Sequence, residues 1–132
     1  MKGSFPGMSG STSDELITVS AHRIGAVQVV SVAGEVDLLT APQLRAAIEA
    51  AFADAGSSMV VVDLTDVGFL ASAGLGALVE AVEQAQQRRQ PLRVVVDHNR
   101  PVIRPLQISG LSDVLAVYET VEAALAGVPK DL

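Results

Sequence analysis

Two short stretches constrain this chain most: Met59–Leu64 (MVVVDL) and Leu92–Val96 (LRVVV) are nearly unbroken apolar runs. A strand with one wet face alternates apolar and polar residues. Unbroken runs of this length therefore suit strands covered on both faces, as in parallel sheets. Parallel neighbours need a crossover, usually a helix. The residues between the two runs supply one. Ser72 opens a long segment in which Leu75, Leu78, Val79 and Val82 form an apolar stripe. Its polar end, Gln84–Gln90, carries Arg88 and Arg89, whose charges suit a helix C-terminus, and Pro91 stops it.

The remaining segments continue the alternation. Leu16–Ser20 and Val27–Ala33 read as an antiparallel pair around a Gly25 turn. Gly34–Asp37 is expected to break that pattern. Thr40 with Gln43 forms a capping box, Pro42 suits a first helical turn, and Leu44, Ile48, Ala51 and Phe52 keep helical spacing to Gly56. Pro101–Ile108 reads as a short helix interrupted by Pro105 and ended by Gly110. Val114–Tyr118 is a last strand, and Thr120–Ala126 a closing helix capped by Thr120 and followed by Gly127. The order is β-β-α-β-α-β-α-β-α, an α/β domain with a mixed, mostly parallel sheet of about five strands and about four helices. Residues 1–13 are mostly Gly, Ser, Thr and Pro without period and read as a flexible tail, with Ser4, Ser9, Ser11, Thr12 and Ser13 as candidate phosphorylation sites. Residues 14–132 form the single domain.

Composition narrows the function. A net charge of −6 with no basic face argues against direct nucleic-acid binding. No apolar run approaches the roughly 20 residues of a membrane span, and no signal peptide is legible, so a cytoplasmic protein is expected. With no Cys and two His, neither a metal site nor a bound cofactor is expected. Sites in open α/β sheets gather at the carboxyl ends of the parallel strands. Gly34–Thr40, Thr65–Gly74 and Asp97–Pro101 lie there. In the middle turn Ser72 sits where an N-cap is expected, and Gly74 and Gly76 lie inside the first helical turns against their propensity. A phosphate at such a helix start is electrostatically favoured. Glu35 and Asp37 read either as turn caps or as contacts for a partner. Asp63 is expected to close its strand, and with Asp66 it offers a paired-carboxylate reading that lacks a nucleophile or oxyanion stabiliser. Asp97 and Asn99 read as turn residues, and His98 as a base or pH sensor at most.

The segment VVVDLTDVGFLASAGLGALVEA resembles the central signature of the STAS domain, the fold of bacterial anti-sigma factor antagonists. Val32–Pro42 (VAGEVDLLTAP) and Val94–Leu115 resemble two further stretches of that family, and the resemblance runs from about Glu15 to Gly127. It implies a non-enzymatic switch that binds an anti-sigma factor, often a kinase-like ATPase, and so releases a sigma factor. The partner-binding face is then expected over Glu35–Leu39, with Glu35 and Asp37 as named contacts, over Leu70, Ala71, Ser72, Ala73, Gly74, Leu75 and Gly76, and over part of the Asp97–Pro101 turn. Family members commonly carry Asp-Ser-Ser/Thr-Gly at the start of the second helix, with the second hydroxyl as phosphoacceptor. Here the matching residues are Ala71, Ser72, Ala73 and Gly74. Ala73 cannot accept phosphate, so Ser72 is the remaining candidate acceptor, against a simple capping role. A constitutively binding form regulated elsewhere is the competing reading. The alternatives in other classes are a STAS adaptor in another signalling complex and a small-ligand or nucleotide sensor. The oligomeric state stays open between a monomer and a larger assembly.

Overall fold

A computed structural model describes residues 16–54 and 56–132. The first thirteen residues, read above as a tail, lie outside this range. The elements are β1 (Ile17–Ile24), β2 (Val27–Val36), α1 (Ala41–Ala53), β3 (Met59–Leu70), α2 (Ser72–Arg88), β4 (Leu92–Val95), α3 (Arg100–Ser109), a 3-10 turn (Leu111–Asp113), β5 (Ala116–Tyr118) and α4 (Val121–Ala126). One five-stranded sheet takes the order β1-β2-β3-β4-β5. β1 and β2 are antiparallel, and every later pair is parallel. The expected element order and mixed sheet are borne out. No described helix is long and apolar enough to cross a membrane.

Each parallel strand is added beside the last, so crossovers of constant hand set their helices on one face. The main core lies there. Val30, Val62 and Val94 from the sheet meet Leu44, Ile48 and Phe52 of α1, Leu78 of α2 and Leu106 of α3. The opposite face carries Val29, Val61, Val95 and Tyr118, and α4 covers it through Ala124. Consecutive valines at 60–62 and 94–96 are all fully or almost fully buried because successive residues point to the two covered faces.

Two strands run further than their residue pattern suggests. β2 continues through Gly34 and Glu35 to Val36, and β3 continues past Leu64 to Leu70. The pairing explains why alternation fails there. Ser31 faces Asp63 but Ala33 faces Asp66, and Gly34 faces Val67 but Glu35 faces Phe69. β3 thus holds an extra residue at two places, and each bulge shifts the inward-outward phase. Asp63 does not close the strand. Its Oδ1 accepts the Thr65 N–H at 3.0 Å and the Thr65 hydroxyl at 2.8 Å, which folds the first bulge. Gly34 is required by geometry: its φ is +107°, and a Cβ there would lie 2.1 Å from the Leu16 carbonyl oxygen.

β4 pairs with β3 only as far as Asp63–Val95. Beyond that point Asn99 takes the place of a strand. Its Nδ2 donates to the carbonyls of Leu64 at 2.9 Å and Val67 at 2.7 Å. The turn role expected for Asn99 is therefore also a tie between the start of α3 and the bulged strand. α3 itself is not interrupted at Pro105. Proline costs one helical hydrogen bond, but fully buried Val102 and Leu106 hold the turn on either side of it. At the far pole, the Arg23 guanidinium and the Gln28 amide hold the Asp54 carboxyl below its ordinary range.

Asn99→Ala is expected to lower stability by about 1–3 kcal/mol, because two carbonyls lose their donor. The loss is not that of a helix cap, since the Asn99 side chain makes no capping bond. Urea unfolding of the two chains measures it, and equal midpoints would remove Asn99 from this role.

Candidate functional site

The carboxyl ends of β2 and β3 are joined as a unit. Val36 pairs with Leu70, and the Ala71 N–H donates to the Val36 carbonyl at 2.8 Å. The chain leaves β2 through a turn built on Asp37. Asp37 Oδ1 accepts the N–H groups of Leu39 at 2.9 Å and Thr40 at 3.1 Å. Thr40 is fully buried, its hydroxyl donates to the Glu35 carbonyl at 2.7 Å, and its oxygen accepts the Asp37 N–H at 2.9 Å. The expected capping box is therefore absent: the Thr40 hydroxyl is committed to the turn and makes no cap bond to α1. Of the two readings for Asp37, the structure shows the turn cap. Glu35 is exposed on the strand opposite Phe69.

The start of α2 also differs from expectation. Ala71, not Ser72, is the N-cap residue, with an extended backbone whose carbonyl accepts from Gly74 at 2.9 Å and Leu75 at 3.1 Å. Ser72 is the first helical residue. It is exposed, and its hydroxyl has no hydrogen-bond partner among the described residues. Ala73 is half-buried and packs against the main core, as does Leu75.

The two glycines have different reasons. A Cβ on Gly74 would lie 2.5 Å from Leu70 Cδ1 and 2.7 Å from Val36 Cγ1, so Gly74 is the contact that lets α2 rest on the joined strand ends. Gly76 has no such crowding: its nearest neighbour is Arg45, 3.7 Å away, whose guanidinium pairs with Glu80 at 3.0 Å. A Cβ at the half-buried Gly76 would therefore meet only ordinary contact.

Large apolar side chains stand out from the end of β3 and from the turn that follows β2. Leu38 is 80 % exposed, Leu39 65 % and Phe69 51 %. The Asp37 turn displays the two leucines, and the second bulge turns Phe69 outward. Phe69 was not singled out from the residue order, because the bulges hide the phase of the strand. Leu38 and Leu39 in the turn after β2 and Phe69 near the end of β3 are thus three large apolar side chains exposed at the carboxyl ends of these strands.

The third turn holds a different cluster. His98 Nε2 lies 3.1 Å from Glu119 Oε2 and 3.8 Å from Asp97 Oδ1. Those three groups have the composition of a metal-ligand set. Lys130 Nζ, however, sits 3.5 Å from both Glu119 Oε2 and His98 Nδ1. An ammonium group already supplies the positive charge there. Asp66 is exposed, while Asp63 is engaged by Thr65, so the two do not form a matched acid–base pair.

Four substitutions separate these roles by thermal or urea unfolding. Gly74→Ala is expected to cost about 1–3 kcal/mol from overpacking. Gly76→Ala is expected to gain up to about 1 kcal/mol from helix propensity. Ser72→Ala is expected to stay within about 0.5 kcal/mol of the parent, whereas Thr120→Ala, which removes the cap bond to Ala123, loses about 1 kcal/mol. A cap-sized loss at Ser72 would contradict the free hydroxyl.

Comparison with known proteins agrees with this geometry. A family model described as Mlab, STAS domain, matches residues 19–119. The anti-sigma-F factor antagonist RsfB of Mycobacterium tuberculosis is 36% identical over 112 residues, which are 85% of this chain and 89% of that protein. The anti-sigma-B factor antagonist of Listeria monocytogenes is 35% identical over 98 residues, 74% of this chain and 83% of its own. The crystal structure of an anti-sigma factor antagonist from Mycobacterium paratuberculosis aligns with a TM-score of 0.77 at 37% identity, covering 85% of this chain and 93% of that one. The chain belongs to the STAS domain family.

Proposed function

We propose that this chain is an anti-sigma factor antagonist: it binds an anti-sigma factor and so frees a sigma factor to direct transcription. The relatives matched along most of the chain carry that name. The observation that carries the reading is the pole itself. Exposed Leu38, Leu39 and Phe69 offer apolar contact area beside the strand ends from which α2 starts, and the small, partly exposed residues Ala71, Ser72 and Gly76 leave the start of that helix open to a partner. This is the work of a binding surface, and the reading is of a binding protein acting in the cytoplasm.

The proposed partner is an anti-sigma factor of the kinase-like ATPase kind. Ser72 is then the hydroxyl such a kinase reaches, since it is exposed and free of any competing bond while Ala73 has none to offer. A phosphate on Ser72 would sit at the first turn of a 17-residue helix, where the helix dipole favours it. The same dianion would face the partner across a closely packed, apolar surface and oppose binding.

Titration against the anti-sigma factor encoded in the same genome tests the reading. The parent chain and Ser72→Ala are expected to bind within about threefold of one another, and Ser72→Asp at least about tenfold more weakly. Equal binding by Ser72→Asp would remove this pole as the interface. With ATP present, label is expected on the parent chain and not on Ser72→Ala. Label that persists on Ser72→Ala would place the acceptor elsewhere.

A further inference from the structure

Most basic side chains of the described residues are committed inside the molecule. Arg23 pairs with Asp54 and Arg45 with Glu80. Arg88 and Arg93 donate to the carbonyls of Phe52 and Ala124, and Lys130 lies beside Glu119. Arg89, Arg100 and Arg104 are different: all three are exposed, and none meets a carboxylate or a carbonyl among the described residues. Arg89 follows the end of α2, whereas Arg100 and Arg104 stand four residues apart on α3 and so share one face of that helix.

Like charges at this spacing repel, and one acidic residue between them would relieve the repulsion. The chain has acidic residues in excess, with a net charge of −6, yet none of those described forms an ion pair with either arginine. Asp97 and Glu119 face His98, which lines the same cleft, and Lys130 holds Glu119 as well. With His98, half-buried Ile103 and Gln107, the two arginines line a cleft of about 250 Å³. That is below the roughly 300–1,000 Å³ of small-molecule sites and has room for a few side chains. Two guanidinium groups and an amide around an apolar floor match an extended segment bearing carboxylates and one apolar side chain. The cleft is also fixed to the proposed binding strand. Asn99, immediately before Arg100, is bonded to the β3 carbonyls of Leu64 and Val67.

We infer that this cleft is a second anchor for the anti-sigma factor and takes an acidic segment of that protein; the inference rests on the function proposed above. Its charge would steer association, and its effect should fade as salt screens it.

The test is Arg100→Glu/Arg104→Glu in the full chain, titrated against the anti-sigma factor at about 0.05 and 0.5 M salt, with Ser72→Asp measured alongside. The double variant is expected to bind about tenfold or more weakly at low salt, chiefly through slower association, with the difference shrinking at high salt. Low-salt affinity within about threefold of the parent, while Ser72→Asp still weakens binding, overturns the cleft and leaves the proposed function standing. No binding by the parent chain overturns both. Should the double variant melt early, Arg100→Gln/Arg104→Gln replaces it. A smaller loss in the same direction supports the cleft, and none overturns it.

Discussion

The pairing of Val36 with Leu70 is the contact on which the rest of this pole depends. It lies well beyond the point where β4 stops supporting β3. Two bulges are needed to keep β2 and β3 in step that far, and Asn99 holds the side of β3 that has lost its strand neighbour. Val36 and Leu70 then form the seat for Gly74, so the start of α2 is placed by the same pair. A side chain at position 74 would lift the helix from its seat. A side chain at position 34 would push β1 from β2. The site is thus an outgrowth of sheet geometry, not a loop added to a finished fold.

That origin explains its chemistry. A strand end that is rigid and apolar below can hold apolar groups outward above it at little entropic cost, because the backbone is already fixed. Asp37 and Thr40 spend their polar groups on fixing the turn that displays Leu38 and Leu39. Ser72 spends nothing on the helix. A free hydroxyl on a small-residue surface is a place where one added phosphate changes the local charge by nearly two units. The basic cleft on α3 is tied to β3 through Asn99, and it supplies the opposite sign in an otherwise acidic chain.

Much of the fold was legible in the residue order. The valine runs identified the doubly covered strands, and Thr120 with Gly127 marked both ends of α4. The bulges were not legible, because an extra residue inverts the alternation from which strands are read. Gly34, Asp63 and Phe69 were misread or missed for that one reason. The side-chain roles of Thr40, Ser72 and Asn99 were hidden for another. Each is a common capping residue, and only tertiary contacts decide whether its polar group turns to the helix, to a neighbouring loop, or to solvent. The presence of the pole itself was readable, since parallel strands end there, but its apolar rim needed the third dimension.

Hydrogen–deuterium exchange of the chain, free and bound to the anti-sigma factor, tests the central claim most directly. Binding through this pole predicts slowed exchange at the amides of the Asp37 turn, the end of β3 and the first turns of α2, with the far pole around Gly25 and Gly56 unchanged. Protection confined to that far pole, or to the exposed β1 face, would contradict it.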